Sequence, residues 1–270
     1  MDWPFFVVQK GSEFNQMLNN KHFQSILAIV KTLNYSRDTW EVFNDFLELA
    51  AICISNIVDL KHFGEREPQY LKTINKYSHE HQKLFPEMFA ELISALDYEY
   101  QKGGFVDVLG NLFHELALHN KFKGQFFTPQ HICDMMGKIL IGDHDKAIQD
   151  LGYVHVMEPT CGSGAMVLGF ANSMRDVGYN HSQQMLVTAI DIDLKCVCMC
   201  YLQLSLYGIP AVVIHGDTLA DKEWSRWYTP AYIFGGWGWR KRPVIKNPQE
   251  PVKESQPKVI MPTQESAIQT

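Results

Sequence analysis

Val156-Met157-Glu158-Pro159-Thr160-Cys161-Gly162-Ser163-Gly164 is the stretch on which the reading of the fold turns. It closes a short apolar run, 153–157, of buried-strand character and opens a helical pattern over 164–177. Glycines at such a junction let the backbone approach a ligand closely, and the helix start offers unpaired N–H groups. A bare Gly-x-Gly is a weak signal. Val167 stands where a dinucleotide fingerprint needs a third glycine or alanine, and no Lys-Ser/Thr follows as a phosphate loop requires. The distinguishing feature is the acid and proline just before the glycines. A carboxylate at a strand end is poorly suited to pyrophosphate and suits a ligand with a cationic amino group.

Two further apolar runs, 185–190 and 211–214, are separated by a helical pattern over 194–207. Strands alternating with helices predict βαβ units and a parallel sheet. The second run ends in Ala189-Ile190-Asp191-Ile192-Asp193, and the third leads into His215-Gly216-Asp217-Thr218-Leu219. An acid closing the second strand commonly accepts hydrogen bonds from ribose hydroxyls. Asp191 lies 27 residues past Gly164, longer than the usual dinucleotide spacing. An acid after the third strand suits an adenine amino group. Acids at three strand ends describe a site for an adenosine carrying a positively charged amino-acid arm.

Upstream, residues 12–120 read as helical. Ser12 opens the first helix, and helices are expected over about 37–60, 70–83, 87–101 and 105–120, with a break at Gly64 to Pro68. A loop at Gly124 to Pro129 then leads into a helix over about 130–141. The fold class is α/β: a helical N-terminal domain (1–120), a Rossmann-like domain with a parallel sheet that is either truncated or completed at its edge by a partner (121–239), and a disordered Pro-rich tail (240–270).

Gly124-Gln125-Phe126-Phe127-Thr128-Pro129, about thirty residues before Glu158-Pro159-Thr160-Cys161-Gly162-Ser163-Gly164, resembles the adenine-N6 DNA methyltransferase family. Within it the likeness is to the modification subunit of type I restriction systems, strong over about 100–220. The resemblance implies S-adenosylmethionine (SAM) as cofactor. Phe127, Thr128 and Pro129 would line its methionine end. Glu158, followed by Pro159, would face the methionine amino group above a turn of Cys161, Gly162 and Gly164. Asp191 would hold the ribose hydroxyls with Ile192 on the adenine face, and Asp217 would accept from the adenine amine with Leu219 nearby. It also implies DNA as partner, directly or through a specificity subunit, and a homo- or hetero-oligomer. Sparse cysteines, an N-terminus unlike a signal peptide and an apolar run at 49–60 too short and polar to span a bilayer predict a cytoplasmic location away from membranes.

The sequence departs from that family at one place. The family carries Asn-Pro-Pro-Phe/Tyr at the end of the next strand; its amide and a proline carbonyl bind the target amine, and the aromatic stacks on the flipped base. Asn247-Pro248-Gln249-Glu250 lacks the second proline and the aromatic, and Thr229-Pro230-Ala231-Tyr232 is a degenerate match after an atypical strand. Thr229, Pro230 and Tyr232 are the expected catalytic positions on this reading. The function expected is methyl transfer to the exocyclic amine of adenine in DNA. Its alternative is a catalytically inactive SAM-binding accessory or anti-restriction protein acting through partners. A remoter reading is an RNA or protein-glutamine methyltransferase.

Composition sets the outer limits. With 46% apolar and 20% charged residues the chain is neither collagen, coiled coil nor wholly disordered. A net charge of −6 and a pI near 6.0 argue against coating nucleic acid by bulk charge, leaving a local patch such as Trp237-Gly238-Trp239-Arg240-Lys241-Arg242, or a flap over the sheet. Six cysteines without a secretory leader argue against a disulfide scaffold. Cys196, Cys198 and Cys200 read as small core thiols rather than metal ligands, because 198 leaves the face that 196 and 200 share. No metal site is expected.

Overall fold

The computed structural model describes residues 17–34, 37–117 and 128–240. The helix start at Ser12 and the tail beyond Arg240 lie outside them. α1 (Lys21–Leu33) begins at Asn20, whose side-chain oxygen accepts from the N–H groups of His22 and Phe23. Its Phe23, Ile26, Leu27, Val30 and Leu33 recur at helical spacing and are buried. α2 (Thr39–Val58) is capped by Asp38. A 3-10 turn, Leu60–His62, leads into α3 (Phe63–Ile74).

The expected break at Gly64 to Pro68 is not there: α3 runs straight through it. An interior proline costs a helix about 3 kcal/mol, so tertiary contacts must hold this one. Arg66 provides them. It donates to Ser55, to Asp59 at 3.0 Å and to the Arg226 carbonyl at 2.7 Å, and its guanidinium lies 4.0 Å over the Trp227 ring. α4 (His79–Gln82) and α5 (Leu84–Gly103) follow, then α6 (Val108–Ala117). α7 (Gln130–Leu151) continues well past the expected stop near 141 and ends at Gly152, which adopts φ 80°.

The α/β part comprises β1 (Val154–Glu158), α8 (Ala165–Asp176), α9 (His181–Gln184), β2 (Met185–Asp191), α10 (Leu194–Leu206), β3 (Ala211–Asp217), β4 (Lys222–Tyr228) and α11 (Pro230–Phe234). The sheet order is β1-β2-β3-β4. The first three strands are parallel, as the alternating pattern predicts; β4 returns antiparallel to β3. β4 was not expected as a strand. Its exposed residues are Lys222, Glu223, Trp224 and Arg226, while Trp227 alone turns into the core against Tyr201.

α10 occupies the centre, between the sheet and α2 and α6. It is buried nearly all round, from Cys196 to Leu204, which is why it shows no polar face. One core runs through it, joining Phe23, Phe46 and Leu112 of the helical part to Val187 and Val213 of the sheet. α7 lies close along α8. A Cβ on Gly137 would come within 2.5 Å of the Gly169 carbonyl, and one on Gly169 within 2.5 Å of the Cys133 backbone. Glycine is therefore required on both sides of the crossing. Among the described residues no helix is long and apolar enough to cross a membrane.

Candidate functional site

Parallel strands carry their C-terminal ends to one edge of the sheet, the usual ligand edge of such folds. Glu158, Asp191 and Asp217 close β1, β2 and β3 at that edge. After β1 the chain turns through Pro159 to Gly164, with φ 54° at Gly162 and φ 98° at Gly164. Those angles are strained for any residue with a side chain. The turn is pinned to the neighbouring strands. Cys161 donates its N–H to the Ile190 carbonyl at 2.8 Å, and Gly162 donates to Asp191 Oδ2 at 2.8 Å. Asp191 Oδ1 accepts from Asp193 N–H at 2.9 Å. The Thr218 hydroxyl donates to the Pro159 carbonyl at 2.7 Å, drawing the loop after β3 to the same place.

Glu158 Oε1 accepts from Thr160 N–H at 3.2 Å, and Asp217 Oδ1 from the N–H groups of Leu219 and Ala220, both at 3.0 Å. The second oxygen of each has no partner among the described residues. Ile192 and Leu219 are exposed beside these acids, Leu219 almost completely at 99%. Thr128 and Pro129 are exposed at the start of α7. Because Cys133 meets Gly169, and Lys138 reaches Asp176 at 3.9 Å, α7 runs in the same direction as α8. Thr128 and Pro129 therefore lie at the end of the helix pair where the glycine turn begins. Phe127 is outside the described residues. The structure thus brings together Thr128, Pro129, Glu158, Pro159, Cys161, Gly162, Gly164, Asp191, Ile192, Asp217 and Leu219.

Thr229, Pro230 and Tyr232 do not join them. Thr229 N–H donates to the Ala211 carbonyl at 3.0 Å, and its hydroxyl accepts from Ala211 N–H at 2.8 Å and donates to the Ile209 carbonyl at 2.9 Å. Ala211 begins β3 and Asp217 ends it, so the two sites are separated by a strand length, roughly 20 Å. Thr229 is fully buried as the N-cap of α11, with Pro230 at the first helical position. Tyr232 stacks on Tyr228, ring centroids 5.2 Å apart. These residues close the far end of the sheet, and the expectation that they meet the substrate base is corrected accordingly.

The aromatic–basic segment divides. Trp237 is buried against Tyr153, with Arg240 3.7 Å over its ring, as a flap requires. Trp239 is exposed, and Lys241-Arg242 lies outside the described residues. Among the described residues no group of side chains suits a metal ion. Burial pushes the thiols of Cys196 and Cys198 well above the ordinary range, and a hydrogen bond with Cys200, together with burial, does the same to Cys161. Protonated thiols of this kind are packing groups.

A buried polar cluster behind the turn was missed by sequence reading. It joins Asp107, Gln130, Asp134, Ser163, Asn172 and Gln203. Asp107 N–H donates to Gln130 Oε1 at 3.2 Å, Gln130 Nε2 to Asp134 Oδ1 at 2.9 Å, and Asn172 Nδ2 to Asp134 Oδ1 at 3.0 Å. One signal was available: Gln203 interrupts an otherwise apolar helix that buries every neighbour.

Residues 102–251 match the family model described as N-6 DNA methylase. The match extends past Arg240 and includes Asn247-Pro248. The type I restriction enzyme MpnII methylase subunit of Mycoplasma pneumoniae is 27% identical over 154 residues, covering 53% of this chain and 26% of that protein. The chain thus spans about a quarter of that relative's length. The type I restriction-modification methyltransferase subunit of Streptococcus thermophilus superimposes with a TM-score of 0.38 at 15% identity, covering 76% of this chain and 60% of the other.

Proposed function

We propose, on the premise that this chain belongs to the N-6 DNA methylase family, that it binds S-adenosylmethionine and serves in methyl transfer to the exocyclic amine of adenine in DNA. The observation that carries the proposal is the set of three strand-end acids around a turn with two positive-φ glycines. SAM supplies a methyl group on a positively charged sulfur, and it carries a cationic amino group.

The donor set fits such a ligand. Each Asp191 oxygen holds one backbone N–H and keeps a lone pair for a ribose hydroxyl. Glu158 Oε2 is available to the ammonium and Asp217 Oδ2 to the adenine amine. Ile192 and Leu219 offer apolar surface to the adenine ring. Thr128 and Pro129 line the methionine end, with Pro159, Cys161, Gly162 and Gly164 as the floor; Phe127, which the family resemblance assigns to the same end, lies outside the described residues. The described residues up to Ala117 form the helical platform and those from Thr128 to Trp239 the cofactor-binding part, in a cytoplasmic protein.

For the base, Asn247 and Pro248, which fall inside the matched range, are the proposed counterparts of the amide and first proline of the family motif, with Gln249 and Glu250 in place of the rest. DNA, and a specificity subunit that selects the site on it, are the proposed partners. The test is transfer of labelled methyl from SAM to unmethylated DNA, with and without a specificity subunit. Label in adenine supports the reading, and its absence under both conditions overturns methyl transfer by this chain. Loss of transfer in Asn247→Ala assigns the amide.

A further inference from the structure

The turn over which the amino-acid arm would lie is held from behind by residues remote in sequence. Ser163, between the two glycines, is fully buried and donates its hydroxyl to Asp107 Oδ2 at 2.5 Å. Asp107 Oδ1 accepts from Gly110 N–H and from Gln203 Nε2, both at 2.8 Å. Gln203 Nε2 also donates to the Ser163 carbonyl at 2.8 Å, and its Oε1 accepts from Leu109 N–H at 3.1 Å. Asp107 is 6% exposed and Gln203 fully buried.

A buried carboxylate is costly, and a residue whose only task is packing would be apolar. Among the described residues Asp107 has no Lys or Arg partner; three donors hold it instead. One of those donors belongs to the turn itself. Ser163 is thereby fixed through both its side chain and its carbonyl, which sets the direction of Gly162 and Gly164 on either side. The space is fully committed: a Cβ on Gly110 would collide with the Asp107 carboxylate.

We propose that Asp107, acting through Ser163 and Gln203, is a positioning residue that presents the glycine turn to the amino-acid arm of the cofactor. This rests on the SAM reading above and names a support for that site that touches no ligand. It predicts a selective effect. The arm should feel the loss of Asp107, and the nucleoside, held by Asp191 and Asp217, should not.

The experiment is calorimetric titration of the full chain with two ligands. One is SAM; the other is 5′-methylthioadenosine, which keeps the nucleoside and lacks the amino-acid arm. Asp107→Ala and Ser163→Ala are each expected to weaken SAM about tenfold. Both should leave methylthioadenosine within about twofold. Asp107→Asn keeps an acceptor for Gly110 and Gln203 and offers an N–H to the Ser163 oxygen, so it should bind SAM within about threefold of wild type. Wild-type affinity in both alanine variants overturns the proposal, as does equal weakening of both ligands, the mark of general loosening. If Asp107→Ala does not fold, Ser163→Ala decides by the same comparison. A wild-type chain that binds neither ligand overturns the SAM reading and this proposal with it. Wild-type binding with indifferent variants removes only the role of Asp107.

Discussion

Asp191 Oδ2 accepts the Gly162 N–H at 2.8 Å, joining the turn after β1 to the end of β2, while Oδ1 holds Asp193 N–H at 2.9 Å. Asp193 in turn caps α10 through Lys195 N–H at 2.9 Å. One carboxylate therefore shapes both the turn and the start of the central helix. Asp191→Ala is expected to lower stability by about 1–3 kcal/mol in urea unfolding. It should also weaken SAM about 30-fold or more, since two ribose hydroxyls lose a charged acceptor. Unchanged affinity in calorimetry removes Asp191 from the cofactor site.

Gly164→Ala tests the turn directly. The residue sits at φ 98°, and a Cβ there would lie 3.2 Å from Cys200 Sγ. Gly152, at φ 80° with open space around it, is the control. Each substitution should cost about 1–2 kcal/mol of stability from backbone strain. Only Gly164→Ala should also weaken SAM, because only there does relief of the strain move the floor of the site.

Thr229→Val should separate stability from ligand binding. The hydroxyl serves two buried backbone groups at the start of β3. Its loss is expected to cost about 1–3 kcal/mol. SAM affinity should remain that of the wild type, and a selective loss of binding would restore Thr229 to the site.

His181 gives the pH dependence a sign. Burial holds its pKa below the ordinary histidine value, although the hydrogen bond to the Tyr207 carbonyl opposes this. The unfolded chain takes up the proton first, so the stabilisation is complete above the unfolded value and is lost as pH falls through the folded one. The thermal midpoint should fall between about pH 7 and pH 5 more steeply in the wild type than in His181→Gln.

The three acids were legible because β2 and β3 are written as short apolar runs that the acids close. β1 was expected as a buried strand too, but it is an outer strand with His155 and Met157 exposed, and it was legible through the acid, proline and glycines that follow it. β4 was not, because Lys222-Glu223-Trp224-Ser225-Arg226 faces solvent on an outer strand and carries no apolar alternation. Pro68 misled because the contacts that hold α3 together come from Ser55, Asp59, Arg226 and Trp227, distant in sequence. Thr229-Pro230 misled for a local reason. Thr followed by Pro is a helix-start signature as much as a fragment of a base-binding motif, and only the fold shows which end of β3 it meets. The Asp107 cluster joins residues up to 96 positions apart, so no window of sequence contains it.

β4 also has a consequence for strand addition at its own edge of the sheet. Its exposed side carries Lys222, Glu223 and Arg226, the last two joined by paired hydrogen bonds of 2.9 and 2.6 Å. A neighbouring sheet approaching that rim would have to strip water from three charges before forming a backbone bond. The charges therefore disfavour pairing of another strand at this edge among the described residues. Glu223→Val with Arg226→Val would remove that cost while leaving the side chains of Glu158, Asp191 and Asp217 in place.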